Sequence, residues 1–153
     1  MDGMAEKAYI FASIFALSNK LQLLGDRIDG KLTVKQWLFL AGVLKCESDT
    51  PSLSEIAARI GSSRQNVKKM AAILEKQRFV EMEKDARDAR VVRVKLTDAC
   101  MAHLKQRENA ELQFIEALFK GFQAKDLSLL SGGIKRLEKN AREMESKYAE
   151  KEV

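Results

Sequence analysis

The chain has 153 residues, of which 46% are hydrophobic and 32% charged, with one proline and a formal net charge of +5. This composition excludes disordered and fibrous chains, and the length suits one domain with or without a dimerisation extension. No apolar run approaches the roughly 20 residues of a membrane-spanning helix, and we find no signal-peptide pattern. Two distant cysteines, Cys46 and Cys100, favour a reducing compartment without disulfides, so we expect a cytoplasmic protein.

A long amphipathic helix is predicted first, over about Glu6 to Ile28. Its apolar residues advance in alternating steps of four and three, which is the a/d repeat of helices that pack along a seam. They are Ile10, Ile14, Leu17, Leu21, Leu24 and Ile28.

Three capping boxes divide the middle of the chain. In each, a Ser or Thr precedes a Glu or Gln by three residues, which predicts helices near 34–46, 53–60 and 63–77. The pairs are Thr33 with Gln36, Ser52 with Glu55, and Ser62 with Gln65. The last two helices meet at Gly61, which supplies a positive φ for a tight turn. Residues 53 to 77 therefore predict a helix-turn-helix.

The second helix of this motif has a core side and a polar side. Val67, Met70, Ala71 and Leu74 cluster on one face at helical spacing. The opposite face offers cations for phosphates, an amide that can bond adenine, and an alanine that fits beside a thymine methyl group. We expect its serines to bind a phosphate at the helix N-terminus and its arginine to read guanine. These DNA-binding candidates are Ser62 and Ser63 at the helix N-terminus, Arg64 at the boundary between the faces, and Gln65, Lys68, Lys69 and Ala72 on the polar face, where Lys76 also lies.

Two alternating segments follow, Phe79 to Met82 and Val91 to Leu96, around a charged tip. They predict a β-hairpin, and a helix-turn-helix followed by a basic hairpin is a winged helix. At the tip, Arg87 and Arg90 can enter a minor groove. We interpret at least one of two nearby carboxylates as a brace that pairs with one of these arginines. The carboxylates are Asp85 and Asp88; a mobile charged loop is the alternative.

Positive charge is concentrated in this region. Between residues 59 and 95 the chain has eleven Lys or Arg and five Asp or Glu, whereas the remainder has sixteen cations and seventeen anions. Such a local excess is typical of a surface that binds a polyanion, although globular domains also acquire basic stretches by chance.

Two more helices are predicted, over about Asp98 to Gln123 and about Lys125 to Lys147. The last repeats the a/d spacing of the first, at Leu127, Leu130, Ile134, Leu137, Ala141, Met144 and Tyr148. These seams can pack within one chain or between two. We favour a homodimer, because so small a domain covers long seams poorly alone.

The pattern Asp-x-Arg-Asp-x-Arg followed by Val-x-Leu-Thr, after a Ser-rich basic helix, resembles the wing signature of the MarR family of transcription regulators. Leu32-Thr33 with Gln36 and Leu40 resembles that family's helix leading into the motif. The resemblance covers about residues 6 to 148. It implies an obligate homodimer on a pseudo-palindromic operator, and release of DNA when a small, often aromatic or phenolic, effector binds. Cysteine sensing of peroxide by the first helix does not carry over, because that helix has no cysteine.

Catalytic and metal sites are disfavoured, so we expect a protein that is not an enzyme and has no cofactor. The only histidine, His103, lies one helical turn from Cys100, but no orienting group or oxyanion donor accompanies them. Sequence does not define an effector pocket. Side chains of the type that line one, each more often plain core, are Phe11, Phe15, Trp37, Phe39, Met101 and His103.

The sequence thus predicts a mainly α chain. Residues of about 33–97 form a winged helix-turn-helix, and helices of about 6–30 and 98–148 form a dimerisation bundle. The predicted function is sequence-specific binding of duplex DNA as a transcription regulator, and we expect a repressor that a small-molecule effector releases from DNA. A winged-helix protein-interaction scaffold, a non-specific architectural DNA binder and an enzyme's accessory domain are the alternatives; the basic face and the absence of a Gly-rich nucleotide-binding segment disfavour the first and the last.

Overall fold

A computed structural model of the chain describes residues 3–151. Within them it has six helices and one two-stranded antiparallel sheet. The elements are α1 (Gly3–Gly25), α2 (Val34–Lys45), α3 (Leu53–Ile60), α4 (Arg64–Lys76), β1 (Val80–Lys84), β2 (Val92–Leu96), α5 (Asp98–Leu118) and α6 (Ala124–Lys151). The predicted mainly helical fold with a helix-turn-helix and a hairpin wing is confirmed.

The first helix ends three residues earlier than predicted, at Gly25. A side chain at this position would collide with Val34 of α2, so the glycine permits a close approach of the two helices. The chain then turns, and the carboxylate of Asp26 accepts the backbone N–H of Val34 at 2.7 Å. Ile28, the last residue of the predicted seam, therefore lies in a turn outside the helix.

Two of the three predicted capping boxes are confirmed, those that begin α2 at Thr33 and α3 at Ser52. The third is wrong. The cap of α4 is Ser63, whose hydroxyl accepts the backbone N–H of Asn66 at 3.2 Å. Ser62 instead belongs to the end of α3, because its N–H donates to the carbonyl of Ala57. Gly61 has the predicted left-handed conformation, with φ of 66°.

The wing is attached to the helix-turn-helix by backbone pairing. β1 and β2 are antiparallel with Met82 opposite Val94, and β1 extends two residues beyond the predicted strand. The other edge of β2 meets the segment before α3, where the N–H of Val94 donates to the carbonyl of Pro51 at 2.9 Å. This hydrogen bond consequently holds the hairpin against the segment that leads into α3.

The core lies between α2, α3, α4, the two strands and the first turn of α5. The predicted inward residues Val67, Ala71 and Leu74 are fully buried, and Met70 packs at the margin. The other buried hydrophobic residues are Leu32, Phe39, Leu40, Val43, Leu53, Ile56, Ala57, Phe79, Val80, Val94 and Cys100.

The last two helices differ from prediction in length. α5 ends at Leu118, five residues early, and Gly121 adopts a positive φ of 88° in the turn that follows. α6 extends beyond the predicted end at Lys147. A larger compact unit runs to Leu112, and a smaller one begins at Gln113. No helix among residues 3–151 is long and apolar enough to span a membrane.

Candidate nucleic-acid interface

One side of α4 faces solvent as a cationic surface. Because Val67, Ala71 and Leu74 fix the helix on the core, residues about 180° away are directed outward. The predicted helix residues are all exposed: Gln65, Lys69 and Ala72 lie on that outward side, Lys68 at its flank, and Arg64 at its boundary with the core side. We call this set of five residues the α4 face. Its composition suits contacts in a major groove, which is wide enough to admit an α-helix.

The N-terminus of α4 adds backbone donors. The hydroxyl of Ser63 accepts the cap bond from the Asn66 N–H and can still donate its own O–H, whereas Ser62 is half-buried in the turn. The N–H groups of the first turn have no partner within the helix and concentrate its positive dipole. A phosphate at this end could therefore accept from the N–H groups of the first turn and from the Ser63 hydroxyl together.

The first acidic residue of α4, Glu75, does not oppose the cations of the α4 face. Its carboxylate accepts the backbone N–H of Met82 at 3.0 Å and so joins the helix to β1. The first turn of the helix contains no acid. The cations of the α4 face are consequently free of neutralising carboxylates on the same helix.

The arginines at the wing tip have different environments. Arg90 is 90% exposed, but its guanidinium binds Asp88 through two hydrogen bonds, Nε to Oδ1 at 3.0 Å and Nη2 to Oδ2 at 3.1 Å. The same hydrogen bond from Arg90 lowers the pKa of Asp88. Arg87 is exposed and, within residues 3–151, its guanidinium has no hydrogen-bond or ion-pair partner. Of the two tip arginines, Arg87 is thus the one more available to an external phosphate or base.

Asp85 shapes the wing tip through hydrogen bonds from backbone N–H groups and from one guanidinium. Its Oδ1 accepts the backbone N–H groups of Arg87 at 2.8 Å and Asp88 at 3.1 Å, while its Oδ2 accepts Nε of Arg93 at 2.6 Å. The bond from Arg93, followed by those backbone bonds, lowers the pKa of Asp85 to about 2. Its side-chain partner is therefore Arg93, neither of the two tip arginines considered from sequence.

Arg93 is a site residue that sequence reasoning missed. Besides Asp85, its guanidinium reaches the carbonyl of Thr50 at 3.1 Å and the carboxylate of Glu55 at 3.7 Å. It therefore ties the wing tip to the start of α3. The only signal in the sequence is its place between Val92 and Val94, which puts it on the polar side of a strand.

The cysteines and the histidine do not form a nucleophilic pair. Cys100 is buried in the core, and burial raises the pKa of its thiol to about 11. The His103 ring is engaged elsewhere, with Nε2 3.1 Å from Asp29 and its face stacked on Phe79. The thiol of Cys46 donates to the carbonyl of Gly42. Among residues 3–151 there is no cluster of three His, Cys, Asp or Glu suited to a metal ion.

The aromatic residues considered for an effector pocket are dispersed. Trp37 and Met101 line one groove of about 570 Å³ between α2 and α5. Phe39 is fully buried core. Phe11 and Phe15 make an edge-to-face contact on α1 and are exposed. The groove between α2 and α5 combines apolar walls with the charged rim residues Lys105, Glu108 and Glu111.

Solved structures with the same fold are transcription regulators. A MarR/EmrR family regulator from Acinetobacter sp. ADP1 superposes with a TM-score of 0.77 at 17% identity, over 90% of this chain and 97% of that one. A MarR regulator from Methanosarcina mazei Go1 gives 0.77 at 17%, over 90% and 99%. An organohalide-sensing regulator, solved with 2,4-dichlorophenol bound, gives 0.77 at 15%, over 88% and 80%.

No protein-family model and no curated protein matches the sequence. The likeness to these regulators is therefore one of structure, at identities below 25%. The fold is that of MarR family winged-helix regulators.

Proposed function

We propose that this chain is a sequence-specific, duplex-DNA-binding transcription regulator that acts as a homodimer. The observation that carries the proposal is the α4 face, an exposed helix surface with three cations and an amide beside a wing with the unpaired Arg87. A helix of this kind reads base edges in the major groove while the wing arginine enters the adjacent minor groove. Such a protein would bind DNA in the cytoplasm and would not act as an enzyme.

The dimer is supported by apolar seams that are exposed in the single chain. On α1 they include Ile10, Ile14 and Leu17, and on α6 they include Ile134 and Leu137. Exposed apolar residues that repeat along a helix are typical of an interface. Two copies related by a twofold axis would present their α4 faces to half-sites about 10 base pairs apart on a pseudo-palindromic operator.

Repression with release by a small molecule is the regulatory mode we propose. A structural neighbour binds a chlorinated phenol, which is a small aromatic ligand. In this chain the groove lined by Trp37 and Met101 has apolar walls of suitable size for such a ligand. A ligand there would contact α2 and α5, two helices that pack against the DNA-binding core.

The proposal is tested by incubating the protein with random duplex DNA at about 150 mM salt and sequencing the retained fraction. An enriched inverted repeat is expected. Retention without an enriched motif would identify an architectural DNA binder, and no retention by effector-free protein would favour a protein-interaction scaffold. Either result would overturn the proposal.

The selected operator then tests the role of Lys68. Replacing it by alanine should weaken binding to all sequences alike and reduce the salt slope by about one unit, because one phosphate contact is lost. The matched control is Lys45→Ala, which removes the same charge from an exposed position at the end of α2. Equal slopes for the two variants would contradict a DNA contact by Lys68.

A further inference from the structure

A single carboxylate in the loop between α1 and α2 joins three parts of the larger unit. Oδ1 of Asp29 accepts the backbone N–H groups of Lys31 at 2.7 Å and Leu32 at 2.9 Å, which shape the loop. Oδ2 accepts Nη1 of Arg107 at 2.8 Å and lies 3.1 Å from Nε2 of His103, both on α5. Burial raises the pKa of Asp29, but the two backbone bonds and Arg107 outweigh it and lower the pKa overall.

The partners on α5 form a polar stripe at intervals of four residues, His103, Arg107 and Glu111. The Arg107 side chain is only 4% exposed, and its Nε lies 2.6 Å from Oε1 of Glu111. A buried guanidinium is costly unless carboxylates compensate it, and Asp29 is the one contributed from outside α5. The position of α5 therefore depends on the position of the Asp29 loop.

The same loop is bonded to the C-terminal end of α4. The side-chain amide of Gln77, the C-cap residue of α4, donates to the carbonyl of Lys31 at 3.1 Å. A second connection runs through Phe79, which is buried just after the helix and stacks on His103 with ring centroids 5.2 Å apart. Between them, Arg78 takes a left-handed φ of 62°, which turns the chain from helix to strand. Two independent routes thus connect α5 to the end of α4.

We propose that Asp29 is a positioning residue that couples α5 to the C-terminal end of α4 and so fixes where the α4 face is held. The inference rests on the proposed function, because it explains how a dimer would keep two DNA-reading helices at one separation. A rigid helix end is needed for that purpose, since reading half-sites at a set spacing requires each α4 to be fixed relative to the rest of its chain.

Hydrogen exchange tests the coupling without DNA. In Asp29→Asn, the backbone amides of Arg78 and Phe79, which bond to α4 carbonyls, should exchange about tenfold faster than in the parent protein. The matched control is Asp26→Asn, because Asp26 bonds the backbone of α2 from the same loop and, among residues 3–151, forms no hydrogen bond with α5. Arg107→Met provides a second variant that retains the loop-shaping bonds of Asp29 and should give the same acceleration. Unchanged exchange in both Asp29→Asn and Arg107→Met would overturn the coupling.

Operators with different half-site spacings test whether the coupling through Asp29 positions the α4 face. Affinities for the selected operator are compared with those for versions carrying one base pair more or fewer between half-sites. In the parent protein, the affinity for the selected operator should exceed the affinity for either altered operator. The coupling predicts that Asp29→Asn reduces this ratio of affinities at least threefold, whereas Asp26→Asn leaves it unchanged. A merely structural role would lower all affinities together and leave the ratio unchanged, which would overturn the positioning role. If the parent protein selects no operator, the proposed function fails and hydrogen exchange still decides the coupling.

Discussion

The winged helix-turn-helix and the terminal helices contrast in how they use their apolar residues. Every buried hydrophobic side chain among residues 3–151 lies between Leu32 and Cys100. α1 contributes only Gly25 to the buried set, and α6 contributes none. The winged helix-turn-helix thus completes a core within one chain. The terminal helices instead leave their apolar seams exposed and able to pack against another surface. The difference separates a part whose stability is intrinsic from a part whose stability is expected to depend on assembly.

The largest expected effect comes from charging the α6 seam. In Leu137→Glu, the proposed dimer would bury an unpaired carboxylate from each copy in its apolar seam, so dimerisation should weaken about a thousandfold and operator binding should be lost with it. Analytical ultracentrifugation measures the first and gel shift the second. The matched control is Leu129→Glu on the same helix, off the a/d repeat and 65% exposed, which should leave the dimer intact. A dimeric Leu137→Glu would show that the seam is not the interface.

One core residue and one seam residue separate intrinsic stability from assembly. Phe39 is fully buried, so Phe39→Ala should cost about 3–5 kcal/mol of unfolding free energy at any protein concentration. Leu17 lies on the a/d repeat of α1 and is 52% exposed in the single chain, so the effect of Leu17→Ala should depend on protein concentration. Thermal unfolding over a hundredfold range of concentration distinguishes them. A concentration-independent loss in Leu17→Ala would contradict a role of Leu17 in assembly.

The features predicted correctly from sequence are those with a local cause. The boxes at Thr33 and Ser52 satisfy helix N–H groups within four residues, and the left-handed turn at Gly61 depends on one residue. The inward face of α4 follows from helical spacing alone. Helix ends are predicted less accurately: α1 ends at Gly25, three residues before the end of its apolar repeat, where its backbone packs closely against Val34 of α2.

The site features that were missed depend on tertiary partners. Arg93 binds Thr50, forty-three residues away, and Asp29 binds Arg107, seventy-eight residues away. No local pattern selects such a pair, because many carboxylates and cations have similar neighbours. Spacing did offer a weak signal for α5, where His103 and Arg107 are four residues apart and share a helix face.

The two arginines at the wing tip show a similar contrast, because among residues 3–151 one has a side-chain partner and the other has none. Arg90 is held by Asp88, whereas Arg87 has no side-chain partner among the residues described. Arg87→Ala should therefore weaken operator binding about tenfold, mostly at operators with A·T-rich flanks, and Arg90→Ala should weaken it less. Fluorescence anisotropy on operators that differ only in their flanks measures both. Equal losses for the two variants would contradict the distinction.

The smallest effect concerns Asp85, whose side-chain partner Arg93 lies on β2 near the wing tip. Its pKa in the folded chain is about 2, below the ordinary value of 3.8, so its contribution to stability is fully present above pH 3.8 and is lost as the pH falls through 2. Arg93→Gln removes the main cause and should return the pKa of Asp85 toward 3.8, as an NMR titration of the carboxyl carbon would record. Arg90→Gln should leave that titration unchanged, because Arg90 binds Asp88 instead. An equal shift in both variants would mean that general wing charge, rather than the bond from Arg93, sets the acidity of Asp85.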